Sequence, residues 1–412
     1  MHLALVTHNL IRGDGQGRVN AEIAHALVDT GHAVTLVAAR VDDALAARDA
    51  VTWQRIEPGR GPTQLVKNHV FARRSARWLE AHRSAFDLVV ANGFVTFAPA
   101  DVNVAHFVHG AWLRSPVHVS KLRGGVFGAY HKLYTSVNAR LERRAFAAAK
   151  RVVAVAERVR DELVDIGVPP EKITVVNNGV DIEEFRPAGP RSASMAPEDR
   201  RALGLPGTKP VALFVGDIRT PRKNLDGALR ALARLVDTGA SELRLAVAGR
   251  VAGSPYPQLA KDLGISNHVL FLDFRRDLPA LMRAADFVVF PSRYDPFGLV
   301  VTEAMASAKP IVTASTAGAA ALVAPEAGMV LADPDDVVGL ADAMFRLTTD
   351  AGLRERMGQA GRSIAEQHTW AHMAHAYVAV FEAVAAGRAP GVPMQVVREA
   401  AANPTAPVAS GS

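Results

Sequence analysis

The chain has 412 residues, 49% hydrophobic and 21% charged, the make-up of a soluble globular protein with length enough for two full cores. It contains no cysteine, which excludes disulfides, zinc ribbons, iron–sulfur clusters and thiol nucleophiles, and no apolar run approaches the ~20 residues of a membrane span. The net charge of +6 is concentrated: residues 114–151 hold nine Lys/Arg against the single acid Glu142, so this segment carries +8 and the remainder −2, which points to a local anionic partner and not to nucleic acid.

The start, MHLALVTHN, is too short an apolar stretch for a signal peptide and reads as a first buried strand, so a cytoplasmic protein is expected. Short apolar runs then alternate with amphipathic helices, the pattern of parallel sheets covered by helices on both faces. In the first half strands are predicted at 3–7, 34–38, 88–91, 102–107, 152–155 and 173–176, with a helix over 18–29 whose Val19, Ile23, Ala26 and Leu27 share a face. Residues 186–209 hold four prolines and read as a linker with a short helix near 197–203. The alternation restarts with strands at 211–215, 243–248, 269–272, 287–290 and 310–313, and helices at 224–236, 278–285, 299–306 and 335–347. A last helix near 371–386 presents Met373, Tyr377, Phe381 and Val384 on one face, and the Ala/Pro/Ser-rich tail 387–412 reads as disordered. Two doubly wound domains in tandem imply a cleft, with ligands beyond the carboxyl ends of the strands.

Three loops carry chemistry. After the first strand, Gly13, Gly15 and Gly17 precede a helix, an arrangement that lets backbone amides approach an anion. A dinucleotide fingerprint starting at Gly13 would need glycine at 18, where Arg18 stands, so an NAD(P) site is disfavoured; a merely flexible loop is the other reading. The second half opens with a strand ending at Val215 and a loop bearing Arg219, Arg222 and Lys223, cations well sited for a diphosphate, or else a solvated basic loop. The densest stretch is VVFPSRYDPFGLVVTEAMASAKP: Asp295 lies in a loop, Glu303 follows eight residues later on a helix starting near Gly298, and the helix would aim free N–H groups at an anion. Such carboxylates suit hydroxyl groups better than phosphate, one for a ribose and one for a hexose, with a plain surface acid pair as the alternative. A hydrolase acid–base pair would need carboxyls on opposite sides of a scissile bond, which one loop–helix unit does not naturally provide. No His/Asp/Glu cluster has clear metal-ligand spacing, so no metal is required.

These residues resemble the retaining, nucleotide-sugar-dependent glycosyltransferases of family 4, with the GT-B fold. The resemblance covers about residues 1–386 and rests first on Asp295-Pro-Phe-Gly-Leu-Val-Val-Thr-Glu303, similar to the family's acid-x7-acid motif, then on NNGVD at 177–181, the basic loop ending at Lys223, LMRAADFVVFPS and the region of Trp370. It implies an α/β fold of two Rossmann-like domains across a cleft: an acceptor domain at 1–185, a linker at 186–209, a nucleotide-sugar domain at 210–370, a helix at 371–386 returning to the first domain, and the tail 387–412. It implies that the loop with Gly15 and Gly17 lies near sugar and diphosphate, that His109 contacts the transferred sugar, and that Lys223 binds diphosphate. Phe297, Gly298 and Leu299 would supply amides, Glu303 would bind ribose and Asp295 sugar hydroxyls.

Three departures stand out. The first acid is Asp295, one methylene shorter than the family's usual Glu. Asp217 follows Gly216 where the family commonly has Arg, so Arg219 or Arg222 is the substitute, with Arg219 preferred. Ala321 stands near a position where many relatives carry a carboxylate. The implied enzyme is a retaining hexosyltransferase (EC 2.4) working by front-face attack, without cofactor, on an acceptor hydroxyl of a sugar or lipid-linked molecule in cell-envelope, polysaccharide or glycolipid synthesis. The basic, aromatic-rich segment 114–151 suggests peripheral docking on an anionic membrane surface, against the alternative of a long helix with a solvated basic face. The competing functions are a catalytically inactive glycosyltransferase-like binding subunit, an NADP-dependent oxidoreductase, and epimerase or phosphorylase chemistry in the same cleft.

Overall fold

The computed structural model of the chain describes residues 1–11, 15–189, 195–239 and 242–387. Gly13, residues 190–194 of the proline-rich stretch and the tail after Gly387 lie outside the described residues, and with them the expectation of a disordered tail.

The apolar runs of the first half assemble as seven parallel strands: β1 (His2–Val6), β2 (Ala33–Ala38), β3 (Val51–Arg55), β4 (Leu88–Asn92), β5 (Val102–Ala105), β6 (Arg151–Ala154) and β7 (Ile173–Val175), in the order β3-β2-β1-β4-β5-β6-β7. Those of the second half give six: β8 (Val211–Val215), β9 (Arg244–Ala248), β10 (Val269–Phe271), β11 (Phe287–Phe290), β12 (Ile311–Ala314) and β13 (Gly328–Leu331), in the order β10-β9-β8-β11-β12-β13. The central strands are continuous Val/Leu/Ala/Phe runs because helices bury both faces. Register aligns Leu5 with Leu36 on one side and Val90 on the other. Each strand order reverses beside its first strand, between β1 and β4 and between β8 and β11, and such reversals open a crevice at the strands' carboxyl ends.

Five helices position the functional surfaces: α1 (Gly15–Asp29), α2 (Gly125–Ala148), α3 (Leu225–Asp237), α4 (Leu299–Ala306) and α5 (Trp370–Ala385). The last leaves the second sheet and packs on α1, burying Met373, Tyr377 and Phe381 fully and Val384 in part. The crossing is fixed by backbone bonds between Val180 and the turn at 368–370, Val180 N to His368 O at 2.9 Å and Trp370 N to Val180 O at 3.3 Å. The Thr369 hydroxyl caps α5 by accepting from His372 N.

Differences from the sequence reading have physical causes. The helix expected from Arg18 begins at Gly15, and the strand expected to reach Phe107 ends at Ala105. The edge strand β3 escapes a pattern search because its residues are partly exposed and mix polar with apolar, as VTWQR shows, and β13 because GMVL is only four residues long, opens with glycine and is partly exposed. The short helix expected near 197–203 does form in the second part of the proline-rich stretch. Residues Pro197–Ala202 form a helix whose Arg200 bonds Lys209 O and Asp286, and Leu205 enters the core.

Candidate functional site

The second crevice is built from two loops. The first leaves β8 at Gly216 and ends in a tight turn, Pro221–Lys223, before α3. Asn224 caps that helix from the left-handed region (φ 60°), where asparagine is tolerated, with Oδ1 accepting from Gly227 N at 3.1 Å. Gly216 lies against the Lys223 stem, and a Cβ there would sit 3.1 Å from Lys223 Cγ. The second loop leaves β11 and ends at Gly298, the residue before α4. Gly298 has φ +89°, a conformation that favours glycine, and a Cβ on it would stand a tight 3.1 Å from the Phe290 ring.

Lys223 and Asp295 meet across these loops in an ion pair, with the ammonium also 4.7 Å from the centroid of Phe290. Burial pulls the Lys223 pKa below its ordinary value, with the Asp295 charge opposing that pull. Arg293, which the sequence reading passed over, locks the two loops together. Its guanidinium makes a two-pronged contact with Asp226 at 2.7 and 2.9 Å, bonds Asp335 at 2.7 Å and reaches Pro221 O, while its backbone N donates to Arg222 O. The Leu299 and Val300 amides in the first turn of α4 have no preceding helical carbonyl, which leaves donors at the crevice.

Tyr294, also missed from sequence, anchors the second loop to the first half of the chain. Its hydroxyl donates to Glu162 at 3.1 Å, and its ring lies against Trp112 and Phe107. The α1 entry closes the same gap. A Cβ on Gly15 would lie 3.6 Å from Leu299 Cδ1, and Gly17 is buried within the helix. Arg18 pairs with Asp181 and Glu184 at 3.3 and 2.8 Å and stacks over Trp370. Burial pushes the Glu303 carboxyl up to about 7, with the Arg18 charge opposing and Glu184 adding to the rise.

Not every expected residue joins this cluster. The exposed Arg219 guanidinium makes a bidentate contact with Asp217 at 2.8 and 2.9 Å, so it is already occupied by an acid two residues away. Arg222, the other candidate, makes no ion pair among the described residues, and its charge is felt by Lys223. The Phe297 side chain is core; its backbone carbonyl accepts from Ala319 N at 2.7 Å.

His109 lies over the first sheet, at the start of a helix, His109–Arg114. Its Nδ1 is 2.8 Å from Glu142 Oε1, and its backbone N donates to Glu142 Oε2 at 2.8 Å. A carboxylate only accepts, so Nδ1 carries a proton in this contact. The sequence showed Glu142 only as the lone acid of a basic segment; its partner is 33 residues away and comes within reach through the fold. Among the described residues no group of three or more His, Asp or Glu is placed to hold a metal ion.

The chain matches the family described as "Glycosyltransferase Family 4" over residues 13–184 and that described as "Glycosyl transferases group 1" over residues 195–364. It is 31% identical over 324 residues to a D-inositol 3-phosphate glycosyltransferase of Xylanimonas cellulosilytica, a match covering 75% of this chain and 73% of that protein. Other relatives of that name match over less of their length: the chain spans 57% of the Salinispora arenicola protein, 38% identical over 259 residues, and 50% of the Salinispora tropica one. In fold it is similar to a sucrose-phosphate synthase from Thermosynechococcus elongatus (TM-score 0.74, 19% identity, 94% of this chain and 100% of that one). It is similar also to Anabaena HepE in complex with UDP-glucose (TM-score 0.66, 21% identity, 93% of this chain and 100% of that one).

The Glu142 contact gives a direct expectation. In 15N-edited NMR spectra the neutral His109 ring shows the Nδ1–H tautomer, and Glu142→Gln moves it toward a mixture of tautomers while the fold persists. An unchanged His109 spectrum would mean that the carboxylate does not set the ring.

Proposed function

This chain belongs to the family 4 glycosyltransferases, with the GT-B fold, and from that premise we propose that it moves a sugar from a nucleoside diphosphate to an acceptor hydroxyl with retained anomeric configuration. The observation that carries this reading is the juxtaposition of the buried Lys223 ammonium, the Asp295 carboxylate and the amide end of α4 at one strand-order reversal. Cation and amides meet the two needs of a departing diphosphate, charge neutralisation and directed donors, in a site already shielded from water. The donor displaces Lys223 from exclusive pairing with Asp295, and that carboxylate then takes sugar hydroxyls. Glu303 accepts from ribose. Arg222 supplies the second cation, in preference to Arg219, which Asp217 holds. The protein named as binding UDP-glucose shares the fold, which supports a nucleotide-sugar donor. Neither a metal nor another cofactor takes part, and the leaving diphosphate assists in removing the acceptor proton from the same face.

The surface around α2 fits a peripheral role in glycolipid or envelope-polysaccharide synthesis. No described helix is long and apolar enough to cross a membrane. Val126 is 89% exposed, with Leu122, Phe127 and Leu133 about half exposed beside Lys121, Arg123 and Lys132. Apolar side chains that insert among acyl chains, ringed by cations, suit an anionic lipid surface.

Three outcomes are expected. Lys223→Ala and Glu303→Ala each cut transfer at least tenfold, measured with a panel of nucleotide sugars; near-normal turnover in both folded variants would remove the site assignment. Ribose hydroxyls favour the ionised Glu303, so donor binding releases a proton, and affinity falls as pH drops through about 7. Calorimetry with a UDP-sugar, whose phosphates do not titrate in this window, should give binding about tenfold weaker at pH 6 than at pH 8. Glu303→Gln flattens that profile. The protein co-sediments with vesicles containing phosphatidylglycerol and not with neutral ones, and a Val126→Ser/Phe127→Ser/Leu133→Ser variant loses the association; equal sedimentation with neutral vesicles would count against lipid docking through this face.

A further inference from the structure

A second polar cavity, of about 180 Å³, lies over the carboxyl ends of the first sheet. At ~30 Å³ per water it has room for about six waters, the bulk of one sugar ring. It is bounded by the carboxyl ends of β1, β4 and β5 and the segments that follow them, where His8, Asn92, His106 and His109 lie, with Asn68 and Asn138 from flanking helices. Gln16 also lines it, one residue from the Gly15 that abuts Leu299 on the donor-side helix. The cavity therefore adjoins the donor crevice.

Its charge is distinctive. Among the described residues no Lys or Arg lines it. Burial holds the His8 and His106 rings down to about 4, so both are neutral at physiological pH. The lone carboxylate, Glu142, is engaged by His109. The other polar side chains of the lining are the His8 and His106 rings and the carboxamides of Gln16, Asn68, Asn92 and Asn138, beside apolar Phe94, Val95 and Phe107. His106 Nε2 is 2.9 Å from Asn92 Oδ1. His8 stacks on Phe71 at 4.4 Å between centroids, and its buried Nε2 has no partner among the described residues. An unpartnered buried ring nitrogen marks a place where a ligand group completes the bonding.

Resting on the transfer reading, the geometry points to an uncharged polyhydroxylated acceptor, a cyclitol or sugar ring without phosphate, bound in this cavity with its hydroxyls on His8, Asn92, His106 and His109. Several relatives are named for D-inositol 3-phosphate. A phosphate monoester carries about −1.5 to −2 at pH 7. Placed here it would lose its hydration with no Lys or Arg among the described lining residues to replace it, and it would face the Glu142 charge. Hydroxyls match neutral imidazoles and carboxamides, which offer both donors and acceptors.

The test uses the full chain with UDP present and follows the histidine ring resonances while myo-inositol, methyl α-glucopyranoside, D-myo-inositol 3-phosphate and glucose 6-phosphate are titrated in turn. The expected result is that the unphosphorylated probes shift His106 and His109 and bind at least tenfold more tightly than their phosphate esters. Asn68→Lys, a change at the half-buried wall, should narrow or invert that preference. Equal or tighter binding of the phosphate esters to the unaltered protein overturns the proposal, as does an absence of ring shifts with both classes while UDP still binds. Failure of UDP itself to bind would instead strike the donor reading, and the polyol-induced ring shifts would still decide the cavity.

Discussion

A lysine ammonium buried beyond the ends of parallel strands needs a partner, and the crevice of the second sheet is organised around giving Lys223 one. Desolvation alone would drive Lys223 towards its neutral form, and the Asp295 charge opposes that shift. The pair exists only if two loops from adjacent strands are held at fixed distance. Arg293 fixes them with contacts to Asp226, Asp335 and Pro221, and the left-handed Gly298 turns the chain from Asp295 directly into α4. The same loop carries Tyr294 into the first half of the chain, so the arrangement of charge in the crevice and the docking of the two halves share one short segment.

The two sides of the cleft handle polarity in opposite ways. The second sheet concentrates formal charge at its reversal point, with Lys223, Asp295 and Arg222 close together. The cavity over the first sheet collects imidazoles and carboxamides, and Glu142, the one carboxylate among its described lining residues, is engaged by His109. In the transfer proposed above, this asymmetry would have a use: charged groups would stabilise a departing diphosphate, while neutral groups would orient a nucleophile without trapping it in a strong ion pair.

Much of the architecture was legible because buried parallel strands are written as local apolar runs. Val211–Val215, Phe287–Phe290 and Leu299–Ala306 have the bounds read from sequence, and the motif from Asp295 to Glu303 lies at the strand-order reversal of the second sheet. Edge strands such as Val51–Arg55 were lost because one face meets solvent and the apolar pattern thins. Arg293, Tyr294 and Glu142 were lost for a different reason. Their partners, Asp226, Glu162 and His109, lie 67, 132 and 33 residues away, and no local pattern reports such contacts. Arg219 illustrates the converse: its position looked suitable for phosphate, and its nearest acid, two residues away, holds it instead.

The return of α5 to α1 also sets an order of events during synthesis. Tyr377 and Phe381 cover a face of the first half that is made hundreds of residues earlier, so a nascent chain carries that face uncovered while the whole second sheet is being translated. The first half cannot complete its core until the last helix has emerged, which makes closure of this non-local contact a late step. A truncation before Trp370 would thus do more than shorten the second half: it would leave the opposite end of the molecule with an open apolar surface.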